Sequence, residues 1–161
     1  MICYLDKSQK AQWLPRLFAL YYENMHQVAP SGMSYRQEEA VWTTEVSAAL
    51  EKAPRQILLC LAEGKLVGYV QYYIRENMLM VEEFQLKKTH QATTAFCGLC
   101  RFLAAQLPQE LERVESYADR RNERSMQLME RLGMVRCQGE ENGQFVRFSG
   151  KIRQLNPSFR K

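Results

Sequence analysis

Between Gln56 and Leu86 the chain carries three consecutive runs of strand-forming residues with almost nothing between them. QILLCLA and LVGYVQYYI are separated by a break at Glu63-Gly64-Lys65, and MLMVEEFQL follows Arg75-Glu76-Asn77. Turns this short join antiparallel neighbours, so the three runs predict a β-meander. A sheet of that kind must bury at least one face, and the cover has to come from the segments before and after it.

Both flanks read as helical. From Gln9 to Met25, Trp13, Leu17, Phe18, Tyr21 and Met25 recur at helical spacing. His26 to Met33 contains Pro30 and Gly32 and reads as a loop. Ser34 stands three residues before Gln37, the pattern of a capping box, and opens a helix with Trp42, Val46, Ala49 and Leu50 on its apolar face. After the meander, a helix is predicted from about Thr94, with Phe96, Leu99, Cys100, Leu103 and Leu107 on one side and Pro108 at its exit. Leu111 to Ala118 is a strand. Asn122 to Leu132 is a short helix with Ser125, Leu128, Met129 and Leu132 on one face and Gly133 as its stop. MVRCQGEENGQFVRFSGKI closes the chain as a hairpin turning at Asn142-Gly143, and Ile2 to Leu5 opens it as a short strand. The expected order is βααβββαβαββ, a mixed α/β fold in one domain over residues 1–161.

Composition sets the class. The 161 residues are 46% hydrophobic and 25% charged, ordinary for a globular chain and poor for disorder. No apolar run approaches the roughly 20 residues of a membrane span. The start, MICYLDKSQKAQW, has neither the basic opening nor the apolar stretch of a signal peptide, so the expectation is a cytoplasmic protein without membrane partners. The net charge of +4 is modest, and the basic tail of Lys151, Arg153, Arg160 and Lys161 reads as a solvated terminus rather than a nucleic-acid surface. Five scattered cysteines, Cys3, Cys60, Cys97, Cys100 and Cys137, make no disulfide framework.

The segment Asn122-Glu-Arg-Ser125-Met-Gln-Leu128-Met129-Glu-Arg-Leu132-Gly133-Met134 resembles the N-x-x-A-x-x-L-Y-x-x-L-G-F stretch of the GNAT superfamily of N-acetyltransferases. Asn122, Leu128, Leu132 and Gly133 match; Ser125 and Met134 are conservative changes, and Met129 replaces the tyrosine. The strand VEEFQL, the loop and the helix that follow resemble the family's IEELYV strand and its Q/R-x-x-G-x-G/A loop, here Gln91-Ala92-Thr93-Thr94-Ala95-Phe96. Gln91 fits, whereas Thr94 and Phe96 replace the two small residues.

The resemblance spans roughly residues 56–150, while residues 9–53 agree only in their two-helix pattern and would form the substrate side. It implies the GNAT fold, a mostly antiparallel twisted sheet flanked by helices. It also implies transfer of an acetyl group from acetyl-CoA to a primary amine of a small molecule or peptide, by direct attack in a ternary complex. Dimers are common in the family, so a homodimer is a further expectation.

The loop has a physical rationale. A pyrophosphate wants several backbone N–H donors, and a helix N-terminus supplies them together with a favourable dipole. By resemblance, Phe84 and Leu86 at the strand end, the loop residues Gln91, Ala92, Thr93, Thr94, Ala95 and Phe96, and Asn122 and Ser125 bind the cofactor. Lys87 and Lys88 add positive charge upstream, and Asn122 would equally serve as a helix cap.

Cys97-Gly98-Leu99-Cys100 is open to three readings: core packing, a redox dithiol, or half a metal site. Packing is favoured, because Cys100 shares the stripe of Leu99 and Leu103 and no second ligand pair exists.

For catalysis the resemblance implies acidic residues on the third meander strand, Glu82 and Glu83. Simple alternation sends them to opposite faces. Glu82, in phase with Phe84 and Leu86, ranks first as the base or cation anchor; Glu38 and Glu39 are further acidic candidates. Met129 cannot donate a proton, so another hydroxyl among Tyr21, Tyr22, Tyr35, Tyr72, Tyr73 and Tyr117 acts, or the thiolate leaves with water's help, or the reaction has been lost. The last case defines an alternative: a GNAT-fold protein that binds acyl-CoA or a protein partner without turnover.

Overall fold

The computed structural model describes residues 1–52, 54–91, 94–138 and 143–155. Its elements follow the expected order: β1 (Ile2–Tyr4), α1 (Lys10–Met25), α2 (Tyr35–Glu51), β2 (Gln56–Ala62), β3 (Lys65–Arg75), β4 (Met78–Leu86), α3 (Thr94–Gln106), β5 (Arg113–Asp119), α4 (Glu123–Arg131), β6 (Val135–Arg136) and β7 (Phe145–Lys151). The strands form one seven-stranded sheet in the order β1-β2-β3-β4-β5-β7-β6. Every pairing is antiparallel except β4 with β5.

Local chemistry accounts for the element ends. Glu63 and Gly64 both take positive φ, +50° and +73°, the conformation of a tight hairpin between β2 and β3. Ser34 and Gln37 form the reciprocal capping box at the start of α2. Gly133, at φ +89°, ends α4 in the left-handed conformation. Pro15 lies inside α1 and cannot donate to the preceding turn; it sits on the exposed side, where the orphaned carbonyl meets water. Asn142 of the expected closing turn, and Arg160 and Lys161 of the basic tail, lie outside the described residues.

Alternation along β2 divides the interior into two cores. Ile57, Leu59 and Leu61 pack with Leu14, Leu17, Phe18, Trp42, Val46 and Leu50 beneath α1 and α2. Leu58 and Cys60 face the other way, toward Leu99, Cys100 and Leu103 of α3 and Met126 of α4. On α4 the buried anchor is Met126, whereas Leu128, expected on the apolar face, is 36% exposed. Met129 and Leu132 also pack against this core, though only in part.

The decisive feature is the β4–β5 pairing. The ladder runs from Met78 opposite Arg113 to Val81 opposite Ser116 and stops there. Ser116 Oγ donates to the Val81 carbonyl at 2.8 Å, closing the ladder at its last rung. Beyond it, β4 continues to Leu86 paired only with β3, and β5 continues to Asp119 paired only with β7. The two strands part, and a cleft opens between them.

At the far end of β4 the sheet is tightest at Gly68. A Cβ there would collide with Leu86 Cδ2 and stand 2.8 Å from the Gln85 carbonyl oxygen, which is backbone and cannot yield cheaply. Gly68→Ala is expected to lower stability by about 1–3 kcal/mol, the range for overpacking. Urea unfolding monitored by circular dichroism measures it.

Candidate active site

The cleft has a volume of about 1200 Å³ and runs from the parted strands to the C-terminal end of α1 and the N-terminal end of α4. Of the residues singled out from sequence, Glu82, Glu83, Phe84, Leu86, Gln91, Phe96, Asn122 and Ser125 line it. Thr94 opens α3 on the exposed surface, and Ala95 packs against the core beneath α3. Ala92 and Thr93 lie outside the described residues.

The two glutamates do not point to opposite faces. β3 and β4 slip register at this point: Gln71 opposes Glu83 while Tyr72 opposes Val81, so Glu82 is the extra residue of a β-bulge. Glu82 Oε2 accepts from Gln71 Nε2 at 2.9 Å, and Glu83 Oε2 accepts from the Tyr69 hydroxyl. Tyr69 and Gln71 are two apart on one strand and share a face. The bulge has therefore turned both carboxylates to the α1–α2 side.

Their environments differ. Glu82 is held by Arg55, whose Nε and guanidinium nitrogen donate to it at 2.7 to 3.0 Å, and Arg55 in turn lies over the Tyr73 ring, 4.8 Å from its centroid. Glu82 is thus the neutralised member of the pair. Glu83 has no cationic partner among the described residues; it accepts from Trp42 Nε1 at 2.9 Å and from Tyr69. Burial pushes its carboxyl above the usual range, the two donors pull it back in part, and the Glu82 charge adds to the rise. A carboxyl raised in this way holds a proton more readily than an exposed one.

Sequence reasoning missed the residues that build this environment. Tyr21 of α1 stacks on Trp42 of α2 with centroids 5.9 Å apart. Its hydroxyl is pushed up to about 12, first by burial and then by Glu83, Glu38, Asp119 and Glu45. Trp42, on the apolar stripe of α2, and Tyr69 of β3 are both core residues, but each carries one polar atom that meets Glu83. Only the number of polar-tipped aromatics on α1, α2 and β3 hinted at it. Among the acidic candidates Glu38 lines the cleft, whereas Glu39, half-buried on α2, does not. Of the tyrosines considered as acids, Tyr21 and Tyr117 line it.

At the other end, Asn24 Nδ2 donates to Gln85 Oε1 and to the Leu86 carbonyl, at 2.9 and 3.0 Å, tying α1 to the end of β4. Gln91 Nε2 donates to the same carbonyl at 2.8 Å. Asn122 Oδ1 accepts from the Ser125 amide at 3.0 Å, which is a helix cap. Phe96, standing where the resembling loop has a small residue, leans on Phe84 with centroids 5.2 Å apart. Its bulk is absorbed by β4. Lys88, Arg121, Arg124 and Arg131 line this end and make it cationic.

The cysteines of the Cys-x-x-C are free thiols. Cys100 is fully buried in the core beside Leu99 and Leu103, and burial pushes its thiol up to about 12, whereas Cys97 is half-buried. Cys100 thus packs as the helical stripe predicts.

The chain superposes along 94% of its length on three acetyltransferases of known structure. With PaiA N-acetyltransferase from Thermoplasma acidophilum, in complex with coenzyme A, the TM-score is 0.74 at 12% identity, with 98% of that chain covered. With an acetyltransferase from Thermus thermophilus it is 0.72 at 14% identity, with 96% covered. With aminoglycoside 6'-acetyltransferase type Ii it is 0.66 at 11% identity, with 96% covered. The chain has the GNAT fold. No family model and no curated protein sequence matches it, so the likeness to GNAT structures is one of architecture carried by a diverged sequence.

Two outcomes follow from the unequal carboxylates. Arg55→Leu leaves Glu82 partly buried without its cation. Because both side chains keep about a quarter of their surface exposed (28% and 24%), the expected loss is about 1–3 kcal/mol, below the figure for a fully buried pair. Denaturant unfolding reads it.

For Glu83, the folded carboxyl titrates above its unfolded value. Between the two values the folded state holds the extra proton, so stability falls as pH rises through that window. Glu83→Gln removes this fall. Its melting temperature relative to the parent should climb from pH 4 to pH 8, and parallel curves would contradict the assignment.

Proposed function

We propose that this protein transfers an acetyl group from acetyl-CoA to a primary amine, by direct attack in a ternary complex. The observation that carries the reading is Glu83, a raised carboxyl with no counter-cation among the described residues, at the point where β4 and β5 part. In such a reaction R–NH3⁺ and acetyl-CoA yield R–NH–CO–CH3, the CoA thiol and one proton, and the thioester supplies the activated acyl group.

The chain's own residues divide the work. Glu83 takes the proton from the ammonium, since an amine attacks only when neutral. Trp42 and Tyr69 fix both carboxylate oxygens, and Arg55 keeps Glu82 neutralised so that it does not compete. The cationic end with Lys88, Arg124 and Arg131, next to the first turn of α3, suits a pyrophosphate: the first amides of a helix lack intrahelical acceptors. The leaning of Phe96 onto Phe84 keeps its side chain with the strand, which favours such a fit. Met129 lines the cleft without a proton to give, and Tyr117 on β5, which lines the cleft just past the parting, is our candidate to protonate the leaving thiolate.

A second reading has its own support in that same Met129: a GNAT-fold protein that binds acyl-CoA without turnover. Calorimetry with acetyl-CoA and an amine panel assayed for free CoA separate the two. Under the first reading CoA is released. Glu83→Gln then lowers kcat by about 10²- to 10⁴-fold, the usual worth of a general base, with little change in acetyl-CoA affinity. The acid limb of the parent's pH–rate profile should lie above the ordinary carboxylate range, because Glu83 must be ionised to act. Binding without CoA release from any amine would establish the second reading.

A further inference from the structure

Glu83 meets the cleft with both oxygens engaged: Oε1 accepts from Trp42 Nε1 and Oε2 from the Tyr69 hydroxyl. Each carboxylate oxygen can accept a second bond, so Glu83 can still receive an N–H from a ligand. It cannot by itself orient the nitrogen that brings that N–H. When an ammonium gives its proton to Glu83, the lone pair appears where the proton was, facing the carboxylate and not the thioester. Before attack the nitrogen must turn about its C–N bond, and the N–H groups it keeps then need an acceptor on another side.

Tyr21 offers that acceptor. It reaches from α1 into the cleft lining and stacks on Trp42, with centroids 5.9 Å apart and the ring planes 29° from parallel. Trp42 is the ring whose Nε1 bonds Glu83, so the stack sets Tyr21 beside the carboxylate. The Tyr21 hydroxyl makes no hydrogen bond among the described residues, yet it stands near enough to Glu83 to feel its charge. A hydroxyl and a carboxylate that interact without bonding leave a gap, and a nitrogen carrying two N–H groups can span it. Tyr69 cannot take this part, because it is fully buried, does not line the cleft and already donates to Glu83. Burial and the surrounding carboxylates also keep the Tyr21 hydroxyl protonated, so it meets a ligand as a neutral oxygen with lone pairs to offer.

We propose that Tyr21 is a further catalytic residue: its hydroxyl oxygen accepts one N–H of the acceptor amine and so turns the nitrogen that Glu83 has deprotonated toward the thioester. This rests on the acyltransferase reading and deepens it. One proton of the ammonium goes to Glu83. The nitrogen lone pair then forms the C–N bond, the C–S bond breaks with its electron pair on sulfur, and the second proton shed by nitrogen ends on that sulfur as the CoA thiol. Tyr21 neither gives nor takes a proton in this sequence. It holds the nitrogen in the orientation from which its lone pair reaches the carbonyl carbon.

The test uses the full chain with saturating acetyl-CoA and three primary amines, n-butylamine, benzylamine and glycinamide, with free CoA as the readout. Tyr21→Phe keeps the ring and its stack on Trp42 and removes only the oxygen. For the amine with the highest rate, kcat/KM is expected to fall about 3- to 10-fold, the worth of one hydrogen bond at the reacting nitrogen. The KM for acetyl-CoA and the melting temperature should stay at the parent values. Combined with Glu83→Gln, the substitution should cost less than the product of the two separate losses, because both act on one nitrogen. A packing role for the hydroxyl would not produce that coupling.

An amine kcat/KM equal to the parent's, or two losses that simply multiply, overturns the inference and leaves the acyltransferase reading intact. If none of the amines releases CoA, the acyltransferase reading falls and this inference falls with it.

Discussion

Everything functional in this structure depends on one interrupted ladder. β4 and β5 are parallel partners for four rungs, and Ser116 caps the last of them by donating to the Val81 carbonyl. A continuous sheet would have satisfied those backbone groups and left no room for a ligand. Parting the strands instead exposes the edges of β4 and β5 to a shared space, and such a space must be stabilised from its rims. Asn24 does this at the far end of β4 by bonding Gln85 and Leu86. On the β5 side Asp119 is gripped by Arg121 and Gln144, and these hydrogen bonds hold its carboxyl well below the usual range.

The bulge at Glu82 is the second device, and it acts with the first. A regular strand would have given one glutamate to each face. With one residue inserted, both carboxylates turn to the α1–α2 side, and there they would repel. The structure resolves the conflict by giving them different partners: Arg55 over Tyr73 for Glu82, and neutral Trp42 and Tyr69 for Glu83. A buried carboxyl without a cationic partner gains a proton more readily. Two adjacent identical side chains thereby acquire different chemistry.

The resulting cleft is polar in a directed sense. Its end near α3 and α4 is lined by Lys88, Arg124 and Arg131, and its end under α1 and α2 by Glu38, Glu45 and Glu83. That separation suits two ligands of opposite charge meeting at the parted strands. The same logic explains why Phe96 in place of a small residue is tolerated. Its ring leans on Phe84 of β4 at 5.2 Å between centroids while still lining the cleft.

Much of this was legible from residues alone. Periodicity and turn chemistry are local, so the meander, the capping box at Ser34, the Gly133 stop and the whole element order could be read from neighbours a few positions apart. The helical stripe likewise assigned Cys100 to the core. What only the tertiary structure decided is the site. The bulge arises from the register between β3 and β4, which strict alternation cannot foresee. The partners of Glu82 and Glu83 are Arg55, Gln71, Trp42 and Tyr69, between 11 and 41 residues away along the chain. The proton affinity of a carboxylate is set by what folding brings within hydrogen-bond distance and by how much water it removes. The identity of the acidic pair was written in the sequence, and which of the two is free to take a proton was decided by the fold.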